Sequence, residues 1–260
     1  IRDRIQSSSA TTVMVVSFVN AGLLTLTQSI GVIMGANIGT TVTAWLISAL
    51  GFKVDIAAFA LPLLAFGIPL LFSGKSSRKS VGEFIFGFSF LFMGLQALKA
   101  NAPDLGANPE MLAFVQNYTD MGFLSIILFL FIGAILTMIV QASAATMAIT
   151  LIMCANGWID YHLGVALVLG ENIGTTITAN LAALTGNTQS RRAALAHLVF
   201  NIFGVMWVLV LFYPFTAAVS WFVTDVMNIS DPAVAVSFKL AAFHTVSYTH
   251  LRAHETDQYL

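Results

Sequence analysis

The chain has 260 residues, 58% of them hydrophobic and 9% charged, with a mean hydropathy of +0.87 and a formal net charge of −1. Soluble domains carry about a quarter charged residues, so this composition excludes a water-soluble globule and points to a chain embedded in a lipid bilayer. There is no basic stripe or basic–aromatic patterning to suit a nucleic-acid partner, and the single cysteine, Cys154 in an apolar run, excludes a disulfide framework or thiolate cluster and reads as a packing residue.

Taken in order, the first apolar piece, near residues 8–19, is too short to cross a bilayer, which needs about 20 apolar residues in a helix. Segments 29–50, 55–73, 84–100, 122–140, 161–185 and 193–213 are candidate spans, while 142–155 is again short. The small, polar corner Gln141-Ala142-Ser143-Ala144 joins a full apolar arm to that second short piece, so 122–155 reads as a re-entrant hairpin that enters and leaves on one face. The piece near 8–19 is expected to be its counterpart, with an entering arm upstream of Gln6. The chain opens on Ile1, without an initiator Met or a signal peptide, and is expected to begin inside a longer protein.

If hairpins add no net crossing, the three spans between them put the second hairpin on the opposite face and invert the repeat. Lys75, Arg78 and Lys79 then share a face with Arg191 and Arg192. That face is cytoplasmic by the positive-inside rule, and the loop carrying Asp104, Glu110 and Asp120 falls outside. The expected fold is an all-α membrane protein of inverted-topology repeats, each with a re-entrant helical hairpin and a broken transmembrane helix. Repeat 1 takes residues 1–100, an extracellular linker 101–121 and repeat 2 residues 122–245. The stretch 246–260 turns abruptly polar and reads as a non-native tail, closer to translated adapter sequence than to a helix. Arg2, Asp3 and Arg4 sit equally oddly beside a membrane-depth turn.

The duplication is visible residue by residue. Gln6-Ser7-Ser8-Ser9-Ala10-Thr11-Thr12 returns as Gln141-Ala142-Ser143-Ala144-Ala145-Thr146-Met147, and Gly35-Ala36-Asn37-Ile38-Gly39-Thr40-Thr41 as Gly170-Glu171-Asn172-Ile173-Gly174-Thr175-Thr176. Both pairs share one offset, since 141 − 6 and 170 − 35 are each 135. Hydroxyls, amides and glycines inside apolar sequence are costly unless they line a site. At a hairpin tip, unpaired N–H groups and the positive dipole end of the following helix, with the hydroxyls of Ser8, Ser9, Thr11, Ser143 and Thr146, suit an oxyanion. In mid-segment, glycine permits unwinding, so that freed carbonyls, Asn37, Thr40, Thr41, Asn172, Thr175 and Thr176 can supply oxygen to a hard cation.

Other readings compete. Gly35-x-x-x-Gly39 and Gly170-x-x-x-Gly174 fit close helix packing. Glu171, which replaces Ala36 of the first copy, is a membrane-depth carboxylate that can ligate a cation, carry a proton or pair with a neighbour. His197, Asn201 and His244 read as structural, and the run Phe84, Phe86, Phe88, Phe90 and Phe92 as lipid-facing or packing surface. Trp207, Trp221, Tyr213 and Tyr118 suit interfacial anchors. An intramembrane enzyme with Ser8 or Ser143 as nucleophile and His197 as base is an alternative class, although no G-x-S-x-G elbow or H-E-x-x-H pair accompanies it.

The duplicated Gln-Ser motif, the paired Gly-x-Asn-Ile-Gly-Thr-Thr and Ala196-His197-Leu198-Val199-Phe200-Asn201 resemble the type II sodium-dependent phosphate cotransporter family in its bacterial branch, over residues 6–245. The resemblance implies sodium-coupled symport of inorganic phosphate by alternating access in a multi-pass inner (plasma) membrane protein, with no cofactor beyond sodium and with a homodimer compatible. It assigns Gln6, Ser7, Ser8, Ser9, Thr11, Gln141, Ser143 and Thr146 to phosphate. Together with the mid-segment oxygens read above, the expected sodium set is Ser9, Asn37, Thr40, Thr41, Gln141, Ser143, Asn172, Thr175 and Thr176, and Glu171, from its membrane depth, is the coupling candidate. The second copy lacks hydroxyls at Ala142 and Ala144, so the half-sites are expected to differ in role. Another small oxyanion or a carboxylate on the same scaffold is the runner-up substrate, and an inactive structural fragment the remaining reading.

Overall fold

The computed structural model describes residues 8–50, 56–101 and 117–255, and every regular element among them is helical. In chain order these are α1 (Ser8–Asn20), α2 (Leu26–Leu50), α3 (Ile56–Leu71), α4 (Ser76–Ala100), α5 (Phe123–Val140), α6 (Ser143–Ala155), α7 (Tyr161–Ala183), α8 (Thr188–Val210) and α9 (Phe212–Trp221). A π-helical turn, Phe222–Val226, then leads towards α10 (Pro232–Glu255). Helices α2, α4, α5 and α8 are long and apolar enough to cross a membrane. The outer surface fits that role: Phe72 is 86% exposed and Val210 80%. Such side chains are at home against lipid and unfavourable against water.

Local chemistry sets the ends. Asp160 caps α7 by accepting from the Leu163 N–H at 2.8 Å, and Asn187 caps α8 by accepting from Ser190 at 2.9 Å. The Asn187 N–H also donates to Asn20 Oδ1 at 2.7 Å and its side-chain amide to the Asn20 carbonyl at 3.0 Å. These two bonds tie the start of α8 to the end of α1. The sequence repeat reappears in helix bounds, since 155 − 20 (ends of α6 and α1) and 161 − 26 (starts of α7 and α2) are each 135.

Helices α5 and α7 approach backbone to backbone. A Cβ built on Gly170 would collide with the Leu130 carbonyl oxygen, and one on Gly133 with that of Leu167; at Gly174 it would lie 2.7 Å from the Ala134 oxygen. Leu130 thus faces Gly170 and Ala134 faces Gly174, so α5 and α7 run in the same direction and α6 carries the chain back between them. The reversal is made at Gln141, a non-glycine residue in the left-handed region with φ 54°. At 1.5 Å per residue, the 13-residue helices α1 and α6 reach about 20 Å, short of a bilayer core of about 30 Å. The core lies among α2, α5, α6, α7, α8 and α10, around Ile47, Leu151, Val165, Val168, Leu240 and Phe243.

Two expectations are corrected. Helices α2 and α7 are not broken at their glycines but run continuously through Gly35–Gly39 and Gly170–Gly174. In α7 those glycines serve the contact with α5, and the Thr hydroxyls bond carbonyls within the helix, so nothing drives unwinding. The second is the helical region after 213: α10 runs on to Glu255, so residues 246–255 of the polar stretch are helical, with Ser247 and Tyr248 buried. A signal was present: Asp231 accepts from Val234 N–H at 2.9 Å and Pro232 opens the helix, a cap followed by proline at the first helical position.

The α5–α7 contact predicts that Gly170→Val lowers the unfolding temperature in detergent, by the equivalent of about 1–3 kcal/mol or more for overpacking. Equal melting of Gly170→Val and the parent protein would contradict the contact.

Candidate functional site

The expected site residues are distributed over α1, α2, α6 and α7, apart from Gln6 and Ser7, which lie outside the described residues. Ser8, Ser9 and Thr12 are buried in the first turns of α1, and Ser143 and Thr146 in the equivalent turns of α6. Gln141 is exposed and forms the corner before α6. Ala142, at the cap position, offers no side-chain acceptor; its carbonyl accepts from the Ala145 and Thr146 N–H groups at 3.0 and 3.1 Å, which leaves the N–H groups of Ser143 and Ala144 at the head of α6 without a side-chain cap. Asn37 and Thr41 are buried on α2, with Thr40 half-buried, and Glu171, Asn172, Thr175 and Thr176 are buried on α7.

The hydroxyls fall into two groups. Threonine protons are committed to carbonyls of the same helix: Thr12 to Ser8 at 2.8 Å, Thr40 to Ala36 at 3.0 Å, Thr41 to Ile38 at 2.8 Å, Thr175 to Asn172 at 2.9 Å and Thr176 to Ile173 at 2.7 Å. Thr146 does the same more weakly, to Ala142 at 3.4 Å. Each such oxygen keeps only lone pairs for a ligand. The Ser143 hydroxyl makes no hydrogen bond among the described residues and keeps its proton to give. The threonines of α2 and α7 therefore suit a cation, and the serine at the α6 tip suits an anion.

Helices α8 and α10 add a buried polar layer behind the motifs. His197 Nε2 lies 3.3 Å from Asn37 Oδ1, and Asn201 donates to the His197 carbonyl at 2.8 Å. The Tyr248 hydroxyl donates to Asn172 Oδ1 at 2.8 Å and lies 3.5 Å from Asn201 Oδ1. The two asparagines related by the repeat are thus each met at the side-chain oxygen, one from α8 and the other from α10. His244 is buried with its ring 5.1 Å from that of Tyr248. Glu171 is 1% exposed, and neither of its oxygens has a hydrogen-bond partner.

The sequence reading had set this layer aside as structural, although His197 and Asn201 share a helix face at i, i+4. No hydrogen bond joins Ser8 or Ser9 to Ser143, or any of these serines to Asn37, Asn172 or His197, among the described residues. The nucleophile–base contact of a serine enzyme is therefore not made there. No group of three or more His, Cys, Asp or Glu side chains that could hold a metal occurs among them either. Packing does cross the repeat: α1 lies against α7 and α8, while α6 lies against α2 and α10.

Comparison with known proteins gives the family. The Na+/Pi-cotransporter family profile matches residues 4–100 and 107–244, leaving residues 101–106 between the two copies unmatched and ending before Tyr248. YqeW of Bacillus subtilis (strain 168) is 31% identical over 246 residues, 94% of this chain and 74% of YqeW. The "Putative inorganic phosphate export protein YjbB" of Escherichia coli (strain K12) is 29% identical over 208 residues, 79% of this chain. The aligned region is only 36% of YjbB, so the chain spans little more than a third of that relative. The sodium-dependent phosphate transport protein 2B of Rattus norvegicus is 41% identical over 97 residues, 36% of this chain and 13% of the rat protein. No solved structure matches the chain. With the profile covering nearly the whole length, the chain belongs to the Na+/Pi-cotransporter family.

Proposed function

We propose that the chain is a secondary active transporter that moves inorganic phosphate across a membrane with sodium as the coupling ion. The observation that carries this reading is the division of hydroxyls. Phosphate needs donors, and the Ser143 hydroxyl with the N–H groups of Ser143 and Ala144 at the head of α6 can give them, alongside Ser8 and Ser9 of α1, with Thr11 and Thr146 one turn further on. Sodium needs acceptors, and the oxygens of Thr40, Thr41, Thr175 and Thr176 can give those while their protons stay on the helix. Gln6, Ser7 and Gln141 flank the two tips and complete the proposed phosphate set.

In this reading, α5–α6 is a re-entrant hairpin and α1 the returning arm of its partner. Residues 1–100 and 122–245 are inverted repeats, and the loop between them lies outside the cell. The basic clusters at Lys75–Lys79 and Arg191–Arg192 then sit on the cytoplasmic side of the inner membrane. Because α1 leans on α7 while α6 leans on α2, the two copies contribute to one site rather than two. Alternating access follows if the tip helices shift against α2 and α7 as a unit. Glu171 is the coupling residue: a carboxyl fully buried without a partner is stable only if a cation or proton joins it. The name of the E. coli relative directs attention to efflux, so flux is best measured in both directions.

Proteoliposomes carrying the chain should take up radiolabelled phosphate when a sodium gradient points inward and lose it when the gradient is reversed, with arsenate but not sulfate competing. Ser143→Ala should raise the half-saturating phosphate concentration about tenfold or more, the effect of removing one hydrogen bond to a charged group, without loss of folded protein. Sodium-independent flux, or unchanged saturation in Ser143→Ala, would contradict the assignment.

Glu171→Gln keeps the shape and removes the carboxyl. It should fold as well as the parent protein in sodium-free buffer, because no hydrogen bond is lost, and should shift the sodium or pH dependence of uptake. Superimposable sodium and pH curves would remove Glu171 from coupling.

A further inference from the structure

We infer that His197 is a positioning residue that turns Asn37 toward the anion, so that Asn37 is a phosphate donor and not a sodium ligand. The inference rests on the transport reading above and assigns an atom to one of its two ions. Asn37 on α2 and His197 on α8 are 2% and 3% exposed, and the contact between them pairs His197 Nε2 with Asn37 Oδ1 at 3.3 Å. A ring nitrogen facing an amide oxygen must donate, so the proton of the neutral imidazole sits on Nε2. The amide oxygen, the atom a sodium ion would need, is thereby engaged.

The other end of the amide is the informative one. Asn37 Nδ2 carries two N–H donors, is buried, and has no acceptor among the described residues. A buried donor left unmet is unfavourable and rare, and its missing partner must be an acceptor. A cation cannot serve, since the N–H dipoles repel it. An oxyanion can. The position lies on α2, which packs against both α1 and α6, the helices whose tips carry the serines. An amide held from behind therefore adds to the tip donors without adding fixed charge. On this assignment the oxygens left for sodium on α2 are those of Thr40 and Thr41, whose protons already bond the helix.

The test separates the two half-saturation constants in sodium-driven phosphate uptake into proteoliposomes. Asn37→Asp keeps the size, removes the donors and adds negative charge. It should raise the half-saturating phosphate concentration about tenfold or more and should not lower that for sodium. His197→Gln, whose amide N–H can still reach Asn37 Oδ1, should stay within about threefold of the parent protein in both constants, while His197→Phe should weaken phosphate about as much as Asn37→Asp.

Asn37→Asp that tightens sodium and spares phosphate would make Asn37 a sodium ligand and overturn the inference. So would His197→Phe with both constants at parental values. If Asn37→Asp does not fold, Asn37→Ala read by phosphate-induced thermal stabilisation in detergent serves the same purpose. Stabilisation equal to that of the parent protein would overturn the inference, and its loss would support it. A parent protein that carries no phosphate at all would instead overturn the transport reading itself.

Discussion

The backbone contact between α5 and α7 is the constraint on which the rest of the second half depends. With Gly133, Gly170 and Gly174 at the crossing, the two helices touch main chain to main chain, and Leu130–Gly170 and Ala134–Gly174 fix them parallel. Parallel neighbours joined through a short helix require a tight reversal, and the chain makes it at Gln141 with a left-handed backbone. The chain then enters α6 through Ala142, which has no side-chain acceptor to cap the helix, with Ser143 at its head. The small-residue motif serves packing in the second copy, where its glycines face α5, while Glu171, Asn172 and the threonines on the same turns are buried polar groups, which the proposed site uses.

The two copies are alike in plan and unlike in detail. Glu171 stands where the first copy has Ala36, and Ala142 and Ala144 stand where it has Ser7 and Ser9. The second copy therefore carries an ionisable group and fewer tip hydroxyls, and the first the reverse. Such a split fits a site to which one half brings more of the anion's donors and the other the charge that responds to a cation.

Much of this was legible in the sequence, and the exceptions have physical causes. The duplication, the short helices near 8–19 and 142–155 and most of the spans followed from hydropathy and one offset, because a bilayer leaves few alternatives to apolar helices. The expected break in α2 and α7 did not occur. Glycine permits unwinding without compelling it, and Thr40, Thr41, Thr175 and Thr176 satisfy the helix from within. Helices α9 and α10 are not legible as spans because the short apolar pieces around the π-helical turn at Phe222–Val226 give no clean window, and the apolar part of α10 that follows the Asp231-Pro232 start signal gives way to polar sequence after Thr245. The contact made by His197 is not legible because a lone histidine on an apolar helix has no partner visible in one dimension. Its partner, Asn37, is 160 residues away.

The central claim is that the duplicated motifs form one shared site. Equilibrium binding of radiolabelled phosphate to the purified protein in sodium tests it most directly. The account predicts one phosphate per chain, with the whole of that binding weakened by Ser9→Ala in the first copy or by Ser143→Ala in the second. Two phosphates per chain, or a substitution in one copy that removes half of the binding and leaves the other half at full affinity, would contradict it.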